Sequence, residues 1–238
     1  MVTGGASGIG KETCRRLSDD GFLLAVLDLD ATGAQASAGH DGLFLDADVS
    51  NPEAVEYAFR TIVDALGRVD VLVNNAGITG SPEATTCHLT TVEEWDRVHA
   101  VNTRGPFLCA RAALPLMMEQ GSGHVITVAS VAGLVAFPGR CAYTSSKGAA
   151  LMLTRSIAAD YARHGIRANA VCPGFVQTPM TQWRLDDPQL REAVEARIPI
   201  GRVAQADDIA DAISVLASGR MGYMTGHALT IDGGWTAL

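Results

Sequence analysis

Tyr143 and Lys147 stand four residues apart in CAYTSSKGAA, and Ser130 lies thirteen residues before the tyrosine, at the end of the apolar run HVITVAS. On a helix, that spacing puts the phenol and the ammonium on one face. A tyrosine of pKa about 10 is a poor base near neutrality, but a neighbouring cation favours its phenolate. Such a pair can pass a proton to or from an oxygen bound beside it. A serine hydroxyl can hold that oxygen as charge develops on it. A Tyr-x-x-x-Lys pair alone also occurs on many solvated helix surfaces. The serine at the end of an apolar run is what sets this one apart.

The second group of residues suits phosphate and ribose. The chain opens with TGGASGIG at Thr3–Gly10. Gly4 permits a tight turn, Gly8 lets the backbone approach a pyrophosphate, and Gly10 allows close packing of the helix that follows. The first N–H groups of that helix, around Gly8 and Ile9, and its positive dipole end suit an anion. Asp28 lies 18 residues after Gly10, where a carboxylate can accept both hydroxyls of an adenosine ribose. It would repel an additional phosphate, and Ser7 occupies the turn position where an arginine could bind one. The expected cofactor is therefore NAD rather than NADP. In DADVS, Asp48 can accept the adenine amino group and the Val49 backbone can pair with the ring, with Asp46 as the alternative acid. NNAG, Asn74 to Gly77, ends another apolar run with small residues. Asn75, Ala76 and Gly77 leave room for a flat dinucleotide.

Six apolar runs must position these groups: 22–28, 42–48, 69–77, 124–130, 167–174 and 227–234. They are apolar throughout rather than alternating, as in parallel strands buried on both faces. Helices are expected over 8–19, from Ser50-Asn51-Pro52-Glu53 with Ser50 as cap and Glu53 closing a capping box, and from Thr90 or Thr91. The longest runs from about 142 to 164 and stops at Gly165. Strand–helix alternation predicts one α/β domain spanning residues 1–238, a Rossmann-type doubly wound parallel sheet with helices on both faces. Its ligand would lie at the carboxyl ends of the strands.

Composition narrows the alternatives. A 47% hydrophobic chain of 238 residues supports one substantial core. A net charge of −8 argues against a nucleic-acid partner. No apolar run reaches the roughly 18 residues of a membrane span, and no leader segment is evident. Five scattered cysteines fit reduced thiols in a cytoplasmic protein. The six histidines lack metal-ligand spacing, so no metal is expected, and His99 and His124 read as structural.

Together these residues resemble the short-chain dehydrogenase/reductase family, classical subfamily. The likeness rests on TGGASGIG, Asp28, Asp48-Val49, NNAG, Asn102, Ser130, YTSSK at Tyr143–Lys147, PGFVQTP at Pro173–Pro179 and the terminal TGHALTIDGG, and it covers the chain from Val2 onward. It implies hydride transfer between a nicotinamide cofactor and a secondary alcohol or ketone. Tyr143 would be the general acid/base, Lys147 would lower its pKa and bond the nicotinamide ribose, and Ser130 would hold the substrate oxygen. It implies that Asn102 shapes its helix and holds a water relaying protons to Lys147. Bonding to its own helix backbone is the plainer alternative for that side chain. It also implies that Thr178 bonds the carboxamide, with Pro173, Gly174 and Val176 alongside. An NADP-dependent ketoreductase for acyl chains is disfavoured by Asp28. A silent dinucleotide sensor would not need Ser130, Tyr143 and Lys147 together.

Residues 178–201 should cover the site as a lid. Within them, Asp187 can cap and Pro188 open a short helix whose Leu190, Val194 and Ile198 either close over substrate or pack on the domain. Phe137, Cys141, Phe175 and Trp183 are candidate pocket residues for an uncharged or weakly polar alcohol or ketone. Arg140 and Arg184 could instead recognise an anion, although solvation is the simpler expectation. The helix at 146–159 is apolar on more than one face, and family members commonly pair such helices. A homotetramer, or a homodimer, is therefore expected. Family members also carry several apolar residues before the turn, forming a central strand, whereas here only Met1 and Val2 precede it. About five buried apolar residues are worth about 1.5–3 kcal/mol each, comparable with the roughly 5–15 kcal/mol stability of a domain. The expectation is that Met1 is an internal residue of the natural protein. The alternative is a very short first strand supported by oligomerisation.

Overall fold

The six apolar runs, with Val2–Thr3 added, form a seven-stranded parallel sheet in a computed structural model that describes residues 1–82 and 84–237. The strands are β1 (Val2–Thr3), β2 (Ala25–Asp28), β3 (Leu43–Asp46), β4 (Val71–Asn74), β5 (Gly123–Val128), β6 (Ile166–Pro173) and β7 (Ala228–Ile231). Their order is β3-β2-β1-β4-β5-β6-β7. The winding reverses between β1 and β4, the switch point beside which such sheets bind ligands. Only two residues make up β1, yet it pairs on both sides, Val2 opposite Val26 and Val73.

Period-two side-chain direction divides the core between the two faces. Val26, Val73 and Ile126 meet Cys14 and Leu17 of α1 (Gly8–Asp19) and Ile209, Ile213 and Leu216 of α9 (Ala206–Ala217). Their neighbours Leu27, Leu72 and Val125 face the other way, onto Val55 and Ile62 of α3 (Pro52–Leu66) and Met117 of α5 (Gly105–Gln120). The remaining helices are α2 (Ala31–Ala38), α4 (Val92–His99), α6 (Cys141–Tyr161), α7 (Gln182–Leu185) and α8 (Pro188–Glu195).

Local chemistry explains where the expected boundaries hold and where they move. The side chain of Asn51, not Ser50, caps α3 by accepting from Ala54 N, because Pro52 occupies the first helical position. Thr91 caps α4, while Thr90 turns back onto the carbonyls of Thr85 and Thr86. Helix α6 tightens into a 3₁₀ turn at Ala162–His164 before Gly165 takes positive φ. Helix α2 is made of small residues with only Ala34 and Ala38 buried, so it carries little apolar periodicity.

His124 is buried between β5, β6 and α9. Its Nε2 accepts from Asn169 Nδ2 at 3.0 Å, which leaves Nδ1–H to donate to the Leu216 carbonyl at 3.1 Å. Asn169 bonds onward to Met224 O and accepts from His227 N. Burial, with Arg167 nearby, pulls the imidazole down to about 4, so it is neutral at pH 7. The unfolded chain, with an ordinary His pKa near 6.5, then binds more protons than the fold between those values. This contribution should be fully present above pH 6.5 and be lost as pH falls toward 4, by about 3 kcal/mol. Thermal melts from pH 7 to pH 4.5 should show a steeper fall for the wild type than for His124→Gln.

Candidate active site

The turn after β1 is splinted by the end of β4. Thr3 Oγ1 accepts from the backbone N of Asn75 and of Ala76 (3.0 and 3.1 Å), and Asn75 Nδ2 donates to the carbonyls of Thr3 and Gly4 (3.0 and 2.9 Å). Gly8 takes φ +52°, and a Cβ at Gly10 would overlap the Gly4 carbonyl oxygen, so the turn sits directly on α1. Ser7 precedes α1 without spending its side chain on the helix N-terminus. The first N–H groups of α1 are thus left for an anion. Asp28 Oδ2 accepts from Ala6 N at 2.9 Å and Oδ1 from Asp30 N at 3.1 Å, fixing the carboxylate at the end of β2. Asp48 Oδ1 accepts from Ser50 N.

These groups open onto a cavity of about 370 Å³ along the carboxyl ends of the strands. The residues expected against a dinucleotide line it, except Gly10, which supports the turn from beneath, and the alternative acid Asp46. Glycine backbone, a free helix N-terminus and an anchored carboxylate suit a dinucleotide in their donor and acceptor chemistry. The splint made by Asn75 is not evident from sequence, since nothing local tells its amide from a surface one.

Ser130 follows β5 and is buried, its Oγ accepting from Ala132 N at 3.1 Å. Tyr143 and Lys147 lie in the first turns of α6. Lys147 Nζ is buried, donates to the Val128 carbonyl at 2.9 Å and lies 5.8 Å from the Tyr143 ring centroid. Burial lowers its pKa to about 8. Burial raises Tyr143, and a side-chain hydrogen bond with Ser130 offsets part of that rise. The expected lowering of the phenol by Lys147 is absent from this geometry, because the ammonium is turned to the Val128 carbonyl.

Asn102 does not bond its own helix. It stands in a π-helical turn, Ala100–Arg104, joining α4 to α5, the kind of local widening often found at functional sites. Its Oδ1 accepts from Ile78 N, and its Nδ2 donates to Ile78 O and Ser146 Oγ (2.9, 2.8 and 3.0 Å). Ser146 in turn donates to the Tyr143 carbonyl at 2.8 Å. Asn102 therefore ties the segment after β4 to the base of α6.

A second cavity, about 120 Å³, adjoins the first. Ser130, Tyr143, Gly174, Met180 and Thr181 line both. Phe137, Phe175 and Trp183 lie on its wall. Cys141 does not, because its Sγ is 3.3 Å from Thr90 Oγ1, on the side toward α4. Arg140 and Arg184, expected at the solvated surface, line this cavity together with Thr79. Arg140 Nη1 donates to Ser81 O at 3.4 Å, and Arg184 lies 5.3 Å from the Trp183 ring centroid. In α8, capped by Asp187, the stripe turns away from both cavities. Val194, with Ile198 just beyond the helix, is buried with Leu185 and Val203, and Leu190 is exposed.

Among the described residues, no group of three or more His, Cys, Asp or Glu could share a metal ion. No helix among them is long and apolar enough to cross a membrane.

A family model described as enoyl-(acyl carrier protein) reductase matches residues 4–236. The 2-(R)-hydroxypropyl-CoM dehydrogenase of Xanthobacter autotrophicus is 50% identical, covering 100% of this chain and 98% of its own. The cis-4-hydroxycyclohexanecarboxylate dehydrogenase of Sinomonas cyclohexanicum is 38% identical over 100% of this chain and 96% of its own. The crystal structure of levodione reductase superposes with a TM-score of 0.92 at 35% identity, covering 99% and 96%. Relatives named for acting on secondary alcohols make this an oxidoreductase that takes a small-molecule alcohol and a nicotinamide dinucleotide. With the turn after β1, the Tyr143–Lys147 pair on α6 and this likeness along its whole length, the chain belongs to the short-chain dehydrogenase/reductase family.

Proposed function

We propose that the protein exchanges a hydride between NAD(H) and a secondary alcohol or ketone bearing an anionic group. The observation that carries this reading is that Ser130 and Tyr143 stand on the wall shared by the two cavities. A hydroxyl-bearing carbon held there faces both a dinucleotide site and an acid/base pair. The bound nicotinamide supplies the hydride acceptor or donor. Ser130 Oγ holds the substrate oxygen. The Tyr143 phenolate removes the hydroxyl proton in oxidation, and the phenol returns it in reduction. Lys147 keeps a positive charge beside the pair and, released from the Val128 carbonyl, can reach the ribose. Asn102 holds the segment after β4 and the start of α6 in register. Asp28 selects NAD by accepting the ribose hydroxyls and repelling a further phosphate. Residues 178–201 border both cavities through Thr178, Met180 and Trp183 and form the cover of the single domain. The assembly is a homotetramer or homodimer. Exposed Trp95, Phe107, Met118 and Met152 on α4, α5 and α6 support a buried face there.

Two guanidinium groups on the wall of the small cavity favour an anionic substrate over an uncharged one. Neither Arg140 nor Arg184 forms an ion pair with a described residue. A charge-assisted hydrogen bond contributes about 1.5–3 kcal/mol. Carboxylate-bearing cis-4-hydroxycyclohexanecarboxylate should therefore exceed its methyl ester in kcat/KM by roughly tenfold or more. Arg140→Ala or Arg184→Ala should remove most of that preference. An ester turned over as well as the acid would overturn the anionic reading. Absence of NADH formation across a panel of secondary alcohols would overturn the reaction itself.

A further inference from the structure

Thr79, on the wall of the small cavity, belongs to the stretch of chain between β4 and α4. Side chains outside the cavities pin this segment. Asn102 holds Ile78, and Thr90 Oγ1 accepts from Thr85 N. Between them, Glu94 Oε1 accepts from Ser81 N at 2.5 Å. Glu94 lies in the first turn of α4, is only 7% exposed and lines neither cavity. Arg97 grips the same carboxylate through Nε to Oε2 (2.9 Å) and Nη2 to Oε1 (2.7 Å). These bonds hold Glu94 ionised, with its pKa down at about 2. A buried, charged acceptor bound this way has one orientation. The carbonyl of the same Ser81 accepts from Arg140 Nη1. One residue thus hands the position of a fixed carboxylate to a guanidinium on the cavity wall.

We propose that Glu94 is a positioning residue for substrate: by fixing Ser81, it sets where Arg140 presents its charge to an anionic group in the small cavity. This rests on the anionic-substrate reading above. Glu94 lines neither cavity, and its influence on the anionic group runs through Ser81 to Arg140.

The test measures kcat and KM for cis-4-hydroxycyclohexanecarboxylate and its methyl ester in Glu94→Ala and Glu94→Gln. Each variant is made in the wild-type and the Arg140→Ala backgrounds. Glu94→Ala should raise KM for the carboxylate about tenfold, a coupling of ordinary size for residues in one network. It should leave kcat and the KM for the ester unchanged. Glu94→Gln, which keeps an acceptor for Ser81 N, should recover most of the loss. In Arg140→Ala, the alanine at 94 should add nothing further. An equal rise in KM for acid and ester would overturn the proposal, as would a full effect of Glu94→Ala without Arg140. If the wild type turns over the ester as well as the acid, the anionic reading fails and the role of Glu94 fails with it. If the acid-over-ester preference stands but survives Arg140→Ala, Arg140 is not its source and the role of Glu94 alone fails. If Arg140→Ala removes the preference and Glu94→Ala does not, the positioning role alone fails.

Discussion

Tyr143→Phe is expected to lower kcat for alcohol oxidation and for ketone reduction by about 10²–10⁴-fold, the usual worth of a positioned general acid/base. The substitution removes one oxygen from a half-buried ring in the first turn of α6. The ring volume stays, so the melting temperature should move little. NADH binding, read by fluorescence, should persist, because the turn after β1 and Asp28 lie on other elements. The loss should appear equally in both directions, since the same oxygen accepts the proton one way and donates it the other. Burial raises the phenol above its ordinary pKa and Ser130 only partly offsets this. Oxidation by the wild type should therefore accelerate with rising pH as the phenolate forms. Reduction should hold at low pH and decline as the phenol is lost. Burial brings Lys147 down to about 8, so its positive charge fades on the alkaline side.

Asp28→Ala is expected to reverse cofactor preference. The wild type should favour NAD clearly over NADP, because a fixed carboxylate accepts the ribose hydroxyls and opposes a phosphate at that place. Losing a charged acceptor costs about 1.5–3 kcal/mol, so kcat/KM with NAD should fall about 10–100-fold. Activity with NADP should rise as the repulsion disappears. The alanine also leaves Ala6 N and Asp30 N without their acceptor. Asp28→Asn separates the two effects: it keeps an acceptor for the turn and removes the charge. The asparagine should gain activity with NADP while losing less with NAD. Comparison of the two cofactors at saturating alcohol checks this, and a wild type that prefers NADP would refute the role of Asp28.

Much of this molecule is legible in its sequence where local chemistry decides. The run ending at Asp28 reads as a strand because it is apolar on both faces, and the Thr90–Thr91 pair marks a helix start, with Thr91 the cap. The residues proposed for acid/base chemistry stand out because a serine at the end of an apolar run precedes a helical Tyr–Lys pair. What the sequence leaves open is either a boundary shifted by one residue or a side chain whose partner lies far along the chain. Asn51 displaces Ser50 as a cap because the helix begins one residue later than its first polar residue suggests. Cys141 shares its stretch with Tyr143, yet two residues along a helix is a rotation of about 200°, and its side chain turns toward Thr90. Arg140 and Arg184 have the composition of surface residues. Only the folding of two remote segments against β5 and β6 puts both on a cavity wall. The stripe on α8 read equally well as lid or core, and burial of Val194 and Ile198 with Leu185 and Val203 puts it in the core.

The central claim is that a hydride passes directly between the carbinol carbon of a secondary alcohol and a nicotinamide bound along the strand ends. Incubating the enzyme with NAD⁺ and an alcohol deuterated at the carbinol carbon, then analysing the reduced cofactor by mass spectrometry, tests this most directly. The account predicts that the label is recovered in NADH, with the transfer slowed by deuterium and nearly abolished in Tyr143→Phe. Formation of unlabelled NADH with the deuterium released to solvent would contradict it.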